Sequence, residues 1–200
     1  MLTSLDWRFF PVGEGALLLD AGETTPFSNR CVLHLADMLE HLSLPGLLSS
    51  VPGMSSLLLI FDPLQSSGDV LRHTIDMLLH ETSLPEEGQA RLVTIPVRYG
   101  GEYGPDLEDV AARCALSPQQ LIDMHSANIY RVMMIGFAPG FPYIGMLPSV
   151  LHVPRRDTPR AALPAGSVAI AAGLTGIYPA RLPGGWHIIG RTSLSLFNAQ

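Results

Sequence analysis

Hydrophobic and polar residues in the first ninety positions follow two periodicities. Short apolar runs bounded by turn residues predict four strands, at 5–10, 16–20, 47–51 and 57–61. Apolar residues at helical spacing predict two helices, at 27–42 and 68–80. Strands, helix, strands and helix in this order predict an α+β domain over residues 1–90, roughly ferredoxin-like, ending in a polar linker at 84–89.

The pattern changes in residues 91–200 and predicts a mainly β second domain. Ser117, Pro118 and Gln120 predict the start of a helix, because they match an N-cap, a first helical position and a capping-box partner. A preceding helix is predicted at 106–115. Short apolar runs predict strands typical of a small barrel or sandwich, at 91–99, 128–137, 168–172, 186–189 and 194–197.

Glycine and proline are concentrated in residues 136–191. They divide the backbone into short pieces joined by turns and leave no room for a long helix, so this stretch predicts loops shaped around a site. Five aromatic residues in it are candidates to line a pocket. The pattern favours a core position for Phe137 and Trp186, and it leaves core and cleft both open for Phe141, Tyr143 and Tyr178.

Charge is distributed unevenly along the chain. The chain has a net charge of -6, yet residues 127–200 contain six arginines and one carboxylate, Asp157, and the chain has no lysine. Guanidinium groups favour bidentate binding of carboxylate or phosphate. The cluster of Arg155, Arg156 and Arg160 is poorly neutralised by Asp157 alone, which predicts a binding role; the alternative is that these arginines decorate turns.

Several classes of protein are disfavoured by the residue inventory. Without lysine there is no nucleotide-binding P-loop, and net acidity disfavours nucleic-acid binding. The histidines lack metal-ligand spacing, and Cys31 and Cys114 match neither a disulfide framework nor a zinc site. The N-terminus does not match a signal peptide, and no apolar run is long enough to span a membrane. We therefore expect a cytoplasmic protein without a metal.

Four long segments carry a resemblance to a known family. They are VRYGGEYGPDLEDVA (97–111), HSANIYRVMMIGFAPGFPYIGMLP (125–148), PRRDTPR (154–160) and PAGSVAIAAGLTGIYPARLPGGWHIIGRT (164–192). These segments resemble the family called allophanate hydrolase subunit 1, also described as the C/D part of the carboxyltransferase domain. The resemblance implies that the second domain is a cyclophilin-like β-barrel.

The resemblance also implies a function that needs partners. It implies a subunit of an ATP-dependent 5-oxoprolinase, converting 5-oxo-L-proline to L-glutamate, or of a related amide-hydrolysing or carboxyl-transfer complex. The implied partners are an allophanate-hydrolase-subunit-2-like protein (PxpC) and a PxpA-like protein, with a small acidic substrate; a homo-oligomer stays open. ATP is used by the complex, and its contact with this chain is left open. The alternative is a KipI-type inhibitor of a histidine kinase.

The site residues implied by the resemblance lie within the matching segments. They are expected to bind substrate or partner, and their separate roles are left open: His125, Phe137, Pro139, Gly140, Phe141, Tyr143, Arg155, Arg156, Arg160, Tyr178, Pro183, Gly184, Gly185 and Trp186. There is one departure from the family pattern. Members commonly continue past the Leu-Phe-Asn segment with a turn and a last strand, whereas this sequence stops at Gln200.

Overall fold

The two helices predicted near the N-terminus are present in a computed structural model, which describes residues 5–83 and 91–198. Helix α1 spans Pro26–Leu42 and begins with a capping box in which the Thr25 hydroxyl accepts a hydrogen bond from the Ser28 amide. Helix α2 spans Gly68–Glu81, and the Ser67 hydroxyl caps it by accepting from the Val70 amide. The linker predicted at 84–89 lies outside the described residues.

Four antiparallel strands form the sheet that these helices cover. They are β1 (Arg8–Val12), β2 (Ala16–Asp20), β3 (Leu47–Pro52) and β4 (Ser56–Phe61), in the order β1-β2-β4-β3. Alternate residues of the two central strands, such as Leu17 and Leu59, are paired in register and buried. They pack with Val32 and Leu35 of α1 and Ile75 of α2 in one hydrophobic core.

The α+β class predicted from the sequence is confirmed. The ferredoxin-like description of the first domain stays a prediction. In the part of the chain that the structure describes, the order is strand, strand, helix, strand, strand, helix, whereas a ferredoxin-like domain runs strand, helix, strand, strand, helix, strand.

Two compact units make up the chain, Met1–Arg91 and Leu92–Gln200. The predicted division into domains at 1–90 and 91–200 stays a prediction. None of the helices in the described residues has the length and apolar character needed to cross a membrane.

Within residues 92–198, the second unit combines two helices with eight short strands. The helices are α3 (Leu107–Arg113) and α4 (Pro118–Ser126). The strands are β5 (Arg98–Tyr99), β6 (Arg131–Ile135), β7 (Pro142–Gly145), β8 (Arg160–Leu163), β9 (Ser167–Ala171), β10 (Leu174–Ile177), β11 (Leu182–Gly184) and β12 (His187–Arg191). A short 3-10 helix spans Ser149–Leu151.

Six of these strands form one antiparallel sheet, in the order β5-β12-β9-β10-β7-β6, and β11 pairs with β8 in a second sheet. Strand β9 is buried along its whole length. Val168 and Ile170 of β9 share a hydrophobic core with Val110 of α3 and Leu121 of α4. The two helices therefore cover one part of the six-stranded sheet.

Several predicted strand boundaries were wrong. The strand predicted at 91–99 is confined to Arg98–Tyr99, and Pro96, which has no N–H to donate, lies just before it. Residues 194–197 form no strand. The prediction missed β7, β8, β10 and β11, which lie in the glycine- and proline-rich stretch. Their low strand propensity is overridden by pairing with neighbours.

The capping box predicted for α4 is confirmed and gives a stability test. The Gln120 amide donates to the Ser117 hydroxyl, and the Ser117 amide donates to the Gln120 side chain. We expect Ser117→Ala to lower the free energy of unfolding by about 1 kcal/mol, measured by urea denaturation. The exposed Ser149 offers the control Ser149→Ala. Equal effects of both substitutions would show that the cap does not stabilise α4.

Candidate functional site

One buried carboxylate organises the loops around the candidate site. Asp106, only 4% exposed, precedes α3. Its two oxygens accept hydrogen bonds from Arg160 Nη1 at 2.7 Å and Nη2 at 2.8 Å, and from Arg156 Nη1 at 3.0 Å. A fourth bond comes from the Ile188 amide, at 2.7 Å. Arg160 therefore binds in the bidentate manner, which is the strongest form of this pairing.

The electrostatics of this cluster keep Asp106 ionised. Burial alone would raise the pKa of Asp106. Hydrogen bonds from Arg160 and the Ile188 amide, together with the charges of both arginines, outweigh burial and hold the pKa below its usual value. The same pairing raises the pKa of Arg160. A carboxylate held in this state is an anchor and not a proton donor.

The Asp106 cluster joins three segments that are distant in sequence. Arg156 and Arg160 bring in the segment 154–160, and Ile188 belongs to β12. Further bonds reinforce this junction, because the Arg156 amide donates to the Gly185 carbonyl at 2.7 Å. The loop that carries the predicted arginines is thus fixed against the start of β12.

This pairing corrects the sequence-based account of the arginines. The sequence offers Asp157 as their nearby acid and predicts a poorly neutralised cluster. Arg156 and Arg160 instead bind Asp106, about fifty positions earlier in the chain. Sequence reasoning missed Asp106, although it lies in the first of the family-like segments. Arg155 is exposed and is the member of the group left at the surface.

The five predicted aromatic residues come together in one cluster. Phe141 lies at its centre, with ring centroids 5.0 Å from Tyr143, 5.1 Å from Tyr178, 5.4 Å from Phe137 and 5.8 Å from Trp186. All four contacts are edge-to-face, a favourable geometry for aromatic pairs. The stretch rich in glycine and proline, residues 136–191, therefore contains a single aromatic cluster.

Burial within the cluster differs from the expectation in one place. Phe141, Tyr178 and Trp186 are buried, whereas Phe137 is 60% exposed, so the prediction of a core position is correct for Trp186 and wrong for Phe137. Phe137 also has φ 66, a left-handed conformation that is rare and costly for a non-glycine residue. It lies in the turn between β6 and β7. The result is an exposed aromatic ring resting on a buried aromatic base.

Glycines at two predicted positions let neighbouring groups approach closely. Gly184 has no room for a side chain, because a Cβ there would overlap the Tyr178 hydroxyl. Gly140 has φ +78, and a Cβ there would lie 2.6 Å from Cβ of Phe197. Pro139 and Pro183 are exposed. Gly184 therefore lets the backbone approach Tyr178 of the aromatic cluster, and none of these four positions supplies a reactive side chain.

The polar end of the cluster is the Tyr178 hydroxyl. Burial raises the pKa of Tyr178, while a hydrogen bond with the Trp186 backbone and the charge of Arg155 partly oppose this. Arg155 therefore acts on the same region as the aromatic rings. The Phe137 ring contacts the Tyr178 ring edge-to-face with centroids 6.5 Å apart, and the charge of Arg155 lowers the pKa of the same tyrosine.

His125, also on the predicted list, belongs to a separate buried hydrogen-bond chain. Its Nδ1 lies 2.8 Å from the Tyr99 hydroxyl and its Nε2 lies 3.0 Å from the Thr175 hydroxyl, which donates to the Ala169 carbonyl. The Thr175 oxygen therefore accepts from His125 Nε2–H, and Nδ1 accepts from Tyr99. Burial lowers the pKa of His125 to about 4, so the ring is neutral at pH 7.

The arrangement can bind and position a ligand, but the described residues offer no complete catalytic set at the cluster. Asp106 is engaged by arginines and His125 by Tyr99 and Thr175. In residues 5–83 and 91–198, no group of three or more His, Cys, Asp and Glu residues could hold a metal ion. The chemistry available here is recognition by aromatic faces, a guanidinium group and backbone groups.

The chain matches a known family over nearly its whole length. The family model for the carboxyltransferase domain, subdomain C and D, matches residues 7–200. The chain belongs to this carboxyltransferase domain family, as its sequence segments had indicated.

Named relatives are similar over most of the chain. The B subunit of 5-oxoprolinase from Escherichia coli O157:H7 is 42% identical over 194 residues, covering 96% of this chain and 87% of the relative. The protein of the same name from Bacillus subtilis is 38% identical over 200 residues, which cover 94% of this chain and 83% of that relative. Among solved structures, that of TTHA0988 superposes on this chain with a TM-score of 0.78 and a sequence identity of 39%. The match covers 92% of this chain and 36% of the longer TTHA0988 chain.

Removing the charge of Asp106 tests whether this residue anchors the loops. We expect Asp106→Asn to lower the free energy of unfolding by about 3 kcal/mol, because two arginines lose their buried counter-charge. Asp109→Asn is the matched control, since Asp109 pairs with Arg113 on the exposed face of α3 and should contribute less than about 1 kcal/mol. Urea denaturation measures both. Similar losses in the two variants would contradict the anchoring role.

The neutral state of His125 predicts a dependence of stability on pH. The unfolded histidine binds a proton near its ordinary pKa of 6.5, whereas the folded one does so only near 4. The contribution of His125 to the free energy of unfolding is therefore fully present above pH 6.5. It decreases by about 3 kcal/mol as the pH falls toward 4. Denaturation of wild type and His125→Gln at several pH values measures this. We expect a shallower decline in the variant; parallel profiles would contradict it.

Proposed function

We propose that this chain is the B-type subunit of an ATP-dependent 5-oxoprolinase complex that converts 5-oxo-L-proline to L-glutamate. The observation that carries this proposal is 42% identity to a protein named as the B subunit of 5-oxoprolinase, across 96% of this chain and 87% of that relative. Identity that extends through both units favours a shared role over a shared fold alone.

The site supports a role in binding the substrate and not in completing the reaction. 5-Oxoproline carries a carboxylate and a lactam amide. The exposed guanidinium group of Arg155 suits the carboxylate, and the exposed ring of Phe137 suits the flat face of the lactam. Arg156 and Arg160 act as positioning residues, because Asp106 occupies them and holds their loop.

The lack of a complete catalytic set among the described residues at the aromatic cluster favours a function that needs partner subunits. Opening a lactam with ATP requires groups that bind and activate phosphate, and without lysine this chain has no P-loop to supply them. We therefore assign ATP to the complex as a substrate and leave its contact with this chain open. The proposed partners are an allophanate-hydrolase-subunit-2-like protein (PxpC) and a PxpA-like protein. A related amide-hydrolysing or carboxyl-transfer reaction is the broader form of the same proposal.

The finer description of the fold and the location of the protein belong to the same proposal. We propose a cyclophilin-like barrel for the second unit, supported by its six-stranded antiparallel sheet. The ferredoxin-like description of the first unit rests on its four-stranded antiparallel sheet with two helices. A cytoplasmic location accords with these metabolic partners.

Reconstitution with the partner subunits tests the proposed function. We expect ATP hydrolysis that depends on 5-oxoproline in the mixture and not with this chain alone. Arg155→Ala is expected to lower kcat/KM by about 10- to 100-fold, as for the loss of a hydrogen bond to a charged group. Because Arg155 is exposed, the thermal unfolding midpoint should stay the same. Glutamate release measured beside phosphate release checks the reaction.

The control for this substitution is Arg113→Ala. Arg113 lies on the exposed face of α3, paired with Asp109, and its loss should leave turnover unchanged. Equal turnover of Arg155→Ala and wild type would contradict the substrate-binding role of Arg155. Absence of turnover in every combination of folded subunits would contradict the 5-oxoprolinase proposal. Loss of autophosphorylation when the chain is added to a histidine kinase would then favour the inhibitor alternative.

A further inference from the structure

A cavity lies beside β5, one of the two edge strands of the six-stranded sheet. Its volume is about 650 Å³, within the range of small-molecule sites. It shares no residue with the aromatic cluster or with the Asp106 cluster. The lining residues are Pro96, Val97, Arg98, Tyr103, Ala165, Arg191, Thr192 and Ser193. They include two arginines and no acidic side chain.

The sheet places the two arginines opposite each other. Arg191 of β12 is the register partner of Arg98 of β5. Side chains of such partners project from the same face of the sheet with their Cβ atoms close together, and like charges in this arrangement destabilise the pairing. A bound anion would remove that repulsion, because it would sit between two positive charges.

Neither arginine has a neutralising carboxylate among the described residues. In the described residues, 5–83 and 91–198, no carboxylate forms an ion pair with Arg98 or Arg191. The contrast with Arg156 and Arg160, which share a buried carboxylate, is direct. Two unneutralised arginines facing one cavity stand out in a chain whose net charge is -6.

Contacts with neutral groups hold both side chains at the cavity. Arg191 Nε donates to the Ala165 carbonyl at 3.2 Å. The Arg98 guanidinium carbon lies 5.6 Å from the centre of the Tyr103 ring, and its Nη1 lies 3.5 Å from the Tyr103 hydroxyl, at the outer limit of a hydrogen bond. A guanidinium group has five N–H donors, so most of them stay available to a ligand.

The turn that contributes Ala165 to the cavity lining is closely packed. Gly166 has φ +78, and its carbonyl accepts a hydrogen bond from the Thr192 amide at 2.9 Å. A Cβ at Gly166 would overlap the Thr192 carbonyl oxygen. This contact fixes the chain just after Arg191, which limits the freedom of the cavity wall before any ligand binds.

We propose that this cavity binds a small dianion through its carboxylate or phosphate groups. Arg98 and Arg191 supply paired N–H donors, and the hydroxyl groups of Tyr103 and Ser193 supply neutral hydrogen bonds. Its residues are separate from those proposed for 5-oxoproline, so the site does not depend on the proposed function.

Calorimetric titration of the full chain with inorganic phosphate, and separately with succinate, tests the site. We expect saturable binding of at least one anion with one site per chain. Arg98→Gln and Arg191→Gln should each weaken it by 10-fold or more, whereas Arg181→Gln, at an exposed arginine outside the cavity, should leave it unchanged. Phosphate binding alone would identify a phosphate ligand, and succinate binding alone a dicarboxylate.

Two outcomes would overturn the proposal. One is no saturable binding of either anion at constant ionic strength. The other is equal affinity in all three glutamine variants, which would show general attraction to positive charge. A further variant, Arg191→Lys, keeps the charge and loses the bidentate fork; its affinity should fall between those of wild type and Arg191→Gln. Thermal unfolding measured without anion checks that the variants fold. We expect neither Arg98→Gln nor Arg191→Gln to lower the unfolding midpoint.

Discussion

The arrangement of the second unit depends on the pairing of the buried Asp106 carboxylate with two arginines. The carboxylate binds one arginine in bidentate fashion, a second arginine through one bond, and the amide of Ile188. A buried charge with one partner removed costs several kcal/mol, so the three segments that meet here are held together or lost together. The loop 154–160 and the start of β12 take their positions from this junction.

The aromatic cluster uses that junction as its support. Trp186 lies one residue from Gly185, whose carbonyl is bonded to the Arg156 amide, and Trp186 packs against Phe141. Gly184 lacks a side chain where the Tyr178 hydroxyl needs the space. The candidate site thus combines a buried aromatic base with Phe137 and Arg155 exposed at the surface.

The arginines of this chain illustrate two different uses of one side chain. Arg156 and Arg160 share an internal carboxylate and stabilise loops, while Arg98 and Arg191 face each other across two strands and form no ion pair with a carboxylate of the described residues. All four positions are arginine, so the residue type alone does not distinguish the two uses. The difference arises from whether the fold places a carboxylate beside them, which decides between a structural anchor and a binding site.

Local patterns in the sequence determined the helices, the capping box of α4, the first four strands and the family. The capping boxes at Thr25 and Ser117 depend on residues three positions apart, which the sequence displays directly. Only the tertiary structure decided that Asp106 binds Arg156 and Arg160, that Phe137 is exposed, and that Arg98 faces Arg191. Such contacts join residues some fifty to ninety positions apart, and neither periodicity nor composition specifies which distant groups strand pairing and packing bring together.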